Sequence, residues 1–376
     1  MLTCQRSRFS LPDDVHYLNC AYMSPLMRTV EEAGIAGIRR KRNPVQISAQ
    51  MFFEESDEVR ELFARLVGSR ARQIAFIPAA SYGVATVARN VALSRSQNIV
   101  VLHEQFPSNM YSWRRMAQET GAGLRVISGS GAAWNTRILE AIDTNTALVA
   151  LGTVHWADGI QFDLEAIGER AQDVGAAFIV DGTQSVGALP IDVDALKVDA
   201  LVCAGYKWIM GPYSSGLMHL GDRFLDGVPL EETWIARKGS ERFSELVNYA
   251  NEYQPGARRF DVGERSNFIL MPMLAAALKQ LLEWQPRNIQ AYCRTLMGPA
   301  IEAIRALGYG VSPACSGHLF GVHVPEHVNR SRLKDLLAAY NVSVSFRGEV
   351  IRVSPHVYNT PEDAAAFQEV LIRAAR

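Results

Sequence analysis

Residues 176–220 read AAFIVDGTQSVGALPIDVDALKVDALVCAGYKWIMGPYSSGLMHL. FIVDGTQ is a β-branched and aromatic run that stops at an acid followed by glycine, the pattern of a buried strand that delivers Asp181 to its carboxyl end. DALVCAGYKW repeats the pattern and delivers Lys207. Open α/β sheets bind ligands outside the carboxyl ends of their strands, so two such ends bring a carboxylate and an amine to one crevice. That pair suits a pyridine aldehyde.

Pyridoxal phosphate needs a lysine to hold its aldehyde as a Schiff base and an acid beside its ring nitrogen to keep the ring protonated as an electron sink. An opposite charge a few ångström away favours the protonated ring by roughly 1–3 pKa units. VDGTQSVG followed, 26 residues after its Asp, by the Lys of AGYKWIMGPYSSG resembles the class V aminotransferase family of fold-type I pyridoxal phosphate enzymes, which includes cysteine desulfurases, kynureninase and isopenicillin N epimerase. The resemblance implies Lys207 as the Schiff-base lysine, Asp181 as the partner of the pyridinium, and Gln184 near the ring hydroxyl.

A chain of 376 residues, 48% hydrophobic and 20% charged, suits two domains of an ordinary globular protein. A net charge of −1 gives no reason to expect nucleic acid or an anionic membrane as partner. Five cysteines (Cys4, Cys20, Cys203, Cys293, Cys315) lack CxxC spacing and are odd in number, which argues against a disulfide framework or a zinc site. The first residues lack the apolar core of a signal peptide, and no stretch approaches 18 apolar residues. The expectation is a cytoplasmic protein without metal.

Around the central stretch, further candidates come from the residues and from the resemblance. The segment with Tyr17, Asn19 and Tyr22 resembles the family's N-terminal arm, which packs near the active site. QIAFIP reads as a strand and AASYGVATVARNVA as a helix, whose free N-terminal N–H groups suit a phosphate. The family's cofactor phosphate sits at this point, which makes Ala80 and Ser81 the candidates, one of them through backbone alone. Phe106, in a Phe-Pro pair, matches the kynureninase-like ring that stacks over the cofactor. GSG at 129–131 mimics a dinucleotide fingerprint, but Trp134 is too bulky for its third glycine position, so NAD is discounted.

The loop after the next strand carries His155, Trp156 and Asp158. Trp156 stands where desulfurases usually have an Asn, so it narrows the pocket and puts an indole donor in place of an amide. His155 is a candidate acid/base group, although the freed Lys207 amine can also move the α-carbon proton. Before the lysine, relatives use Ser and His on the phosphate. Here Ala204 offers no side-chain donor and Tyr206 offers one.

FDVGERSNF resembles the segment that reaches a partner subunit's phosphate, but Glu264 replaces the usual Thr, leaving Arg265 or Asn267 as substitutes or all three as structural. IRVSPHVYNTPED resembles the family's closing motif, whose arginine binds the substrate α-carboxylate. Arg352 is that residue, and a guanidinium fork holds a carboxylate as lysine cannot. The bland alternative pairs Arg352 with an acid such as Glu349.

The resemblance therefore implies an α/β fold: a large domain (31–255) with a mostly parallel seven-stranded sheet, a small α+β C-terminal domain (256–376), an arm (1–30) packing with the latter, and a homodimer with its site at the interface. Transamination of an amino acid is the first reading. A C–S or other β-lyase and an epimerase are the alternatives, and a silent binding homologue is remote. VSVSFRGEVIRVSP holds no cysteine and Cys315 precedes the first strand of its domain, so a persulfide-carrying desulfurase is not expected.

Overall fold

The computed structural model describes residues 2–131 and 133–376. After β1 (His16–Tyr17), α1 (Arg28–Arg40) and α2 (Met51–Val67), the chain lays down β2 (Ile74–Ile77), α3 (Ala80–Arg89), β3 (Asn98–Leu102), α4 (Tyr111–Thr120) and β4 (Gly123–Ile127). Then come α5 (Ala133–Ala141), β5 (Thr146–Gly152), α6 (Leu164–Asp173), β6 (Ala177–Asp181), β7 (Ala200–Ala204) and β8 (Gly216–Leu220). The strands β2 to β8 form one seven-stranded sheet in the order β2-β8-β7-β6-β5-β3-β4. Only β8 runs against its neighbours.

The central strands are apolar throughout because both faces are covered. Along β5, Val149 and Leu151 join one apolar cluster with α2, α5 and α6, while Leu148 and Ala150 join another with Val84, Val87 and Trp113 of α3 and α4. Local signals set the boundaries. Gly68 ends α2 in the left-handed region at φ 67°, where a side chain would be strained. Asp163 caps α6 by accepting from Ala166 N at 3.1 Å.

The C-terminal part comprises α7 (Leu270–Trp284), α8 (Pro286–Arg305), β9 (Phe320–His323), α9 (Arg330–Ala339), β10 (Val342–Ser343), β11 (Ser345–Arg347), β12 (Val350–Val353) and α10 (Pro361–Ala375). Thr360 and Asp363 form a reciprocal capping box at the start of α10. VSVSF does not stay one strand. Its first half, β10, pairs with β1 of the N-terminal arm, and its second half, β11, pairs with β12 in an antiparallel β11-β12-β9 sheet.

The apolar clusters divide at a different place from residue 256. Leu274, Leu278 and Leu281 of α7 share the core of α2 and the large sheet, and Ala257 and Phe260 also pack on that sheet. From Met297 onward most buried apolar residues belong to the separate small-domain cluster, while Leu319, Val357 and Tyr358 stay with the core of the large sheet. On this packing we propose that the small unit begins inside α8. Its β9 and β12 meet the loop after β5, where Gly321 N donates to Asp158 O at 2.8 Å and Arg352 Nη1 to Trp156 O at 3.1 Å.

Candidate active site

A cleft opens at the strand ends, and Phe106, His155, Trp156, Asp181, Gln184 and Lys207 are among its walls. Register brings the ends together. Gly152 pairs with Asp181 across β5 and β6, and Asp181 with Val202 across β6 and β7.

Lys207 is buried, and its amine forms no ion pair among the described residues. Its Nζ lies 5.4 Å from the centre of the Phe106 ring and 5.5 Å from that of Tyr206. Burial lowers its pKa from 10.5 to about 8; Arg352 and Arg347 add to the fall and Asp181 opposes it. A pKa lowered this far brings the neutral amine within reach just above neutral pH, which is what a nucleophile or proton carrier needs. Asp181 opens partly on the cleft, yet the surrounding protein raises its pKa, against hydrogen bonds from Thr183 and the charge of Lys207. Thr183 N donates to its Oδ1 at 3.0 Å.

Arg352 is 1% exposed. Nη1 donates to Trp156 O at 3.1 Å, whereas Nε and Nη2 are buried without hydrogen-bond partners among the described residues. Glu349 is not its partner, since that acid pairs with Arg330. Arg347, missed in the sequence reading, shares the hairpin: Ser345 pairs with Arg352 and Arg347 with Val350, so the two arginines lie on one face. Their guanidinium carbons lie 5.3 Å (Arg347) and 5.9 Å (Arg352) from the Trp156 ring centre. The alternation SxR–VxR around Gly348 was the available signal.

Several expectations change in detail. The Trp156 indole N–H is spent on Glu104 O at 2.6 Å, so the tryptophan narrows the cleft without offering it a donor. Its ring meets Phe106 edge to face at 5.5 Å. Both ends of the Gln184 amide are engaged, with Ala21 O at 3.2 Å and the Trp208 indole N–H at 3.0 Å. Arg265 turns inward: its Nε lies 2.8 Å from Asp261 Oδ2 and it also donates to Ser56. It is therefore unavailable for a cross-subunit contact, because pulling a buried guanidinium from its acid would leave both charges uncompensated. Asn267 accepts from Ile269 N and Leu270 N at 3.0 Å each, at the start of α7, and Glu264 is exposed.

Other candidates lie around this centre. Ala80 and Ser81 open α3 with no side-chain cap, outside the cleft wall. The Tyr206 ring packs on Tyr213 at 4.5 Å, and its carbonyl accepts from Ser24 N at 3.1 Å. Asn19 is tied to Ser345 at 2.7 Å, Tyr17 donates to Met23 O at 2.8 Å, and Tyr22 is exposed. Ala204 N donates to Thr183 Oγ1 at 3.2 Å. Cys315 is half-buried behind the loop of His155, bridged to Ile160, and none of the described cleft-wall residues is a cysteine.

The orphaned guanidinium atoms, the buried free amine and the cleft-facing acid fit a planar cation-bearing cofactor with a carboxylate ligand. Among the described residues no helix is long and apolar enough to cross a membrane, and no cluster of metal-binding side chains occurs.

Comparison with known proteins agrees with this geometry. An uncharacterized aminotransferase of Bacillus subtilis (strain 168) is 27% identical, over 82% of this chain and 81% of that protein. Isopenicillin N epimerase of Streptomyces clavuligerus is 23% identical, over 97% of this chain and 96% of its own. The apo structure of a cysteine desulfurase from Thermococcus onnurineus NA1 superposes with a TM-score of 0.86 at 21% identity, covering 99% of this chain and 98% of that one. The family model described as "Aminotransferase class-V" matches residues 40–367, and the chain belongs to that pyridoxal-phosphate-dependent family.

Proposed function

We propose that the protein acts at the α-carbon of an amino acid, most simply as an aminotransferase, with Lys207, Asp181 and Arg352 in the roles the sequence assigns. The observation that carries this reading is the buried Arg352 with two unpartnered donors opposite a buried lysine whose pKa falls to about 8. Lys207 would hold pyridoxal phosphate, Asp181 would stand by its ring nitrogen, Phe106 would cover its face, and the first turn of α3 at Ala80 and Ser81, with Tyr206, would take its phosphate. When bound, the group supplies a sink for the electrons left at the α-carbon.

The chain's own residues do the rest. Arg352 binds the α-carboxylate through its free edge and so orients the α-carbon bonds. Lys207, with its pKa near 8, takes the α-proton as a free amine and returns it elsewhere on the substrate. Trp156 and Phe106 wall the site against water.

A β-lyase or epimerase is the second reading, supported by the relatives named above and by probable cysteine desulfurases such as that of Pyrococcus abyssi (strain GE5 / Orsay), 28% identical over 92% of this chain. The cleft wall carries no cysteine among the described residues, which favours a route without an enzyme-bound persulfide. We also propose a homodimer. Ile38, Trp234 and Ile269 are exposed on one apolar groove beside Glu264, a surface that water does not favour.

An amino-acid panel, incubated with and without an α-keto acid, tests the reaction. Turnover that requires the keto acid supports transamination. Ammonia, sulfide or racemised product without it would move the assignment to the second reading.

A further inference from the structure

His155 takes no part in the chemistry above, yet it is 6% exposed and forms part of the cleft wall. Its Nδ1 lies 2.9 Å from Asp158 Oδ1. The ring stacks on Trp134, with centres 5.7 Å apart and planes 29° from parallel. Nε2 is buried and has no hydrogen-bond partner among the described residues. In the neutral imidazole the hydrogen on Nδ1 faces the accepting carboxylate, and Nε2 then presents a lone pair.

The loop that carries the ring is fixed to the carboxylate arginine. His155 N donates to Ile160 O at 2.8 Å, and Ile160 N donates to Asp158 Oδ1 at 3.2 Å. Asp158 O accepts from Gly321 N at 2.8 Å, and Gly321 pairs directly with Arg352 in the small sheet. Arg352 in turn donates to the carbonyl of Trp156, the residue after His155. Nε2 therefore stands at a constant offset from the carboxylate subsite. A buried acceptor left unpaired is costly, and a site keeps such an atom when a ligand completes it.

We propose that His155, held by Asp158, is a specificity-determining acceptor: its Nε2 takes a hydrogen bond from the substrate side chain. On this basis the enzyme selects amino acids whose side chains carry a hydroxyl, amide or ammonium donor over hydrocarbon isosteres. The inference rests on the reading of the cleft as an amino-acid site.

The test compares binding of L-threonine with L-valine, and of L-glutamine with L-methionine, to the pyridoxal-phosphate-loaded enzyme, followed by the change in cofactor absorbance. The donor-bearing member is expected to bind about tenfold or more tightly. His155→Leu should bring the ratios near one, and His155→Gln, which restores an acceptor oxygen, should recover part of the preference. No donor preference in either pair, or a preference unchanged in His155→Leu, overturns the proposal. Should His155→Leu fail to fold, nitrogen NMR of the native holoenzyme decides. A neutral Nδ1–H ring whose Nε2 resonance moves on adding L-threonine or L-glutamine supports the assignment, whereas a doubly protonated ring or an unmoved resonance overturns it. Borohydride attachment of the cofactor, mapped in the same samples, separates the two readings: attachment at Lys207 with no His155 effect removes only this inference, and its absence removes the cofactor site itself.

Discussion

Two buried arginine clusters in this molecule have opposite bookkeeping. Beneath β2, Arg60 and Arg265 share Asp261, whose Oδ1 also accepts from Phe76 N at 2.9 Å, while Ser56 and Ile74 O take further donors. In the cleft, Arg352, Arg347 and Lys207 converge with Asp181 as the one carboxylate that offsets them in the field at Lys207. Burial and Arg347 press the Arg352 pKa down to about 9, with no acid at hand to restore it. The first cluster is complete within the chain and belongs to the fold. The second is incomplete, and completion has to come from a ligand.

The sharpest way to break this contrast is at Lys207. Lys207→Ala should lower turnover by about a thousandfold or more, because nothing else at the strand end offers an amine. Borohydride should then fix no pyridoxal phosphate, whereas in the native protein the mapped attachment site should be Lys207. Labelling at another lysine would remove the whole assignment.

The closed cluster should respond in stability instead. Asp261→Ala strands two buried guanidinium groups and should cost about 4 kcal/mol, read from urea unfolding. Surviving protein should keep its affinity for amino acids. A variant with normal stability would mean that the cluster is not closed in the way its contacts suggest.

Arg352→Ala should cost about a hundredfold in kcat/KM, divided between a raised KM and a lower kcat as the carboxylate loses its hold and the α-carbon its orientation. Arg352→Lys should be impaired less, since charge survives but the fork does not. Full turnover with reduced thermal stability would instead place Arg352 with Arg60, as part of the fold.

The contrast also marks what was legible in the sequence. Asp181 and Lys207 stand at the ends of uninterrupted apolar runs, and a strand that must be buried on both faces leaves its polar residue only at the end. Arg265 looked the same as Arg352 in the sequence, a lone arginine in a family-like segment, because pairing with Asp261 and Ser56 depends on how α2 packs. Trp156 was legible as a pocket wall, but not the carbonyl of Glu104 that takes its N–H. The boundary we propose for the small unit was obscured in the sequence because α7 is apolar enough to read as part of either core, and the proposal rests on its packing against α1 and α2.

The smallest expected effect concerns the cost of keeping Lys207 ready. Its folded pKa is about 8 against 10.5 in the unfolded chain, and burial is the main cause. Between those values the unfolded chain binds the proton that the folded apoprotein releases, so this group makes stability rise with pH across the window. Below about pH 8 both states carry the charge and the full penalty applies. Above about 10.5 neither does and the penalty is gone. Replacing the lysine by an uncharged chain of similar length removes the penalty, so apo Lys207→Met should be more stable than the apo native protein by about 2 kcal/mol at pH 7. That gap should shrink steadily toward pH 10, and the difference between the two proteins cancels the titration of groups that do not feel Lys207. Urea unfolding of both at pH 7, 8.5 and 10 measures it. A gap that stays constant with pH would mean that Lys207 is not held against its charge, and the contrast between an open and a closed cluster would then rest on Arg352 alone.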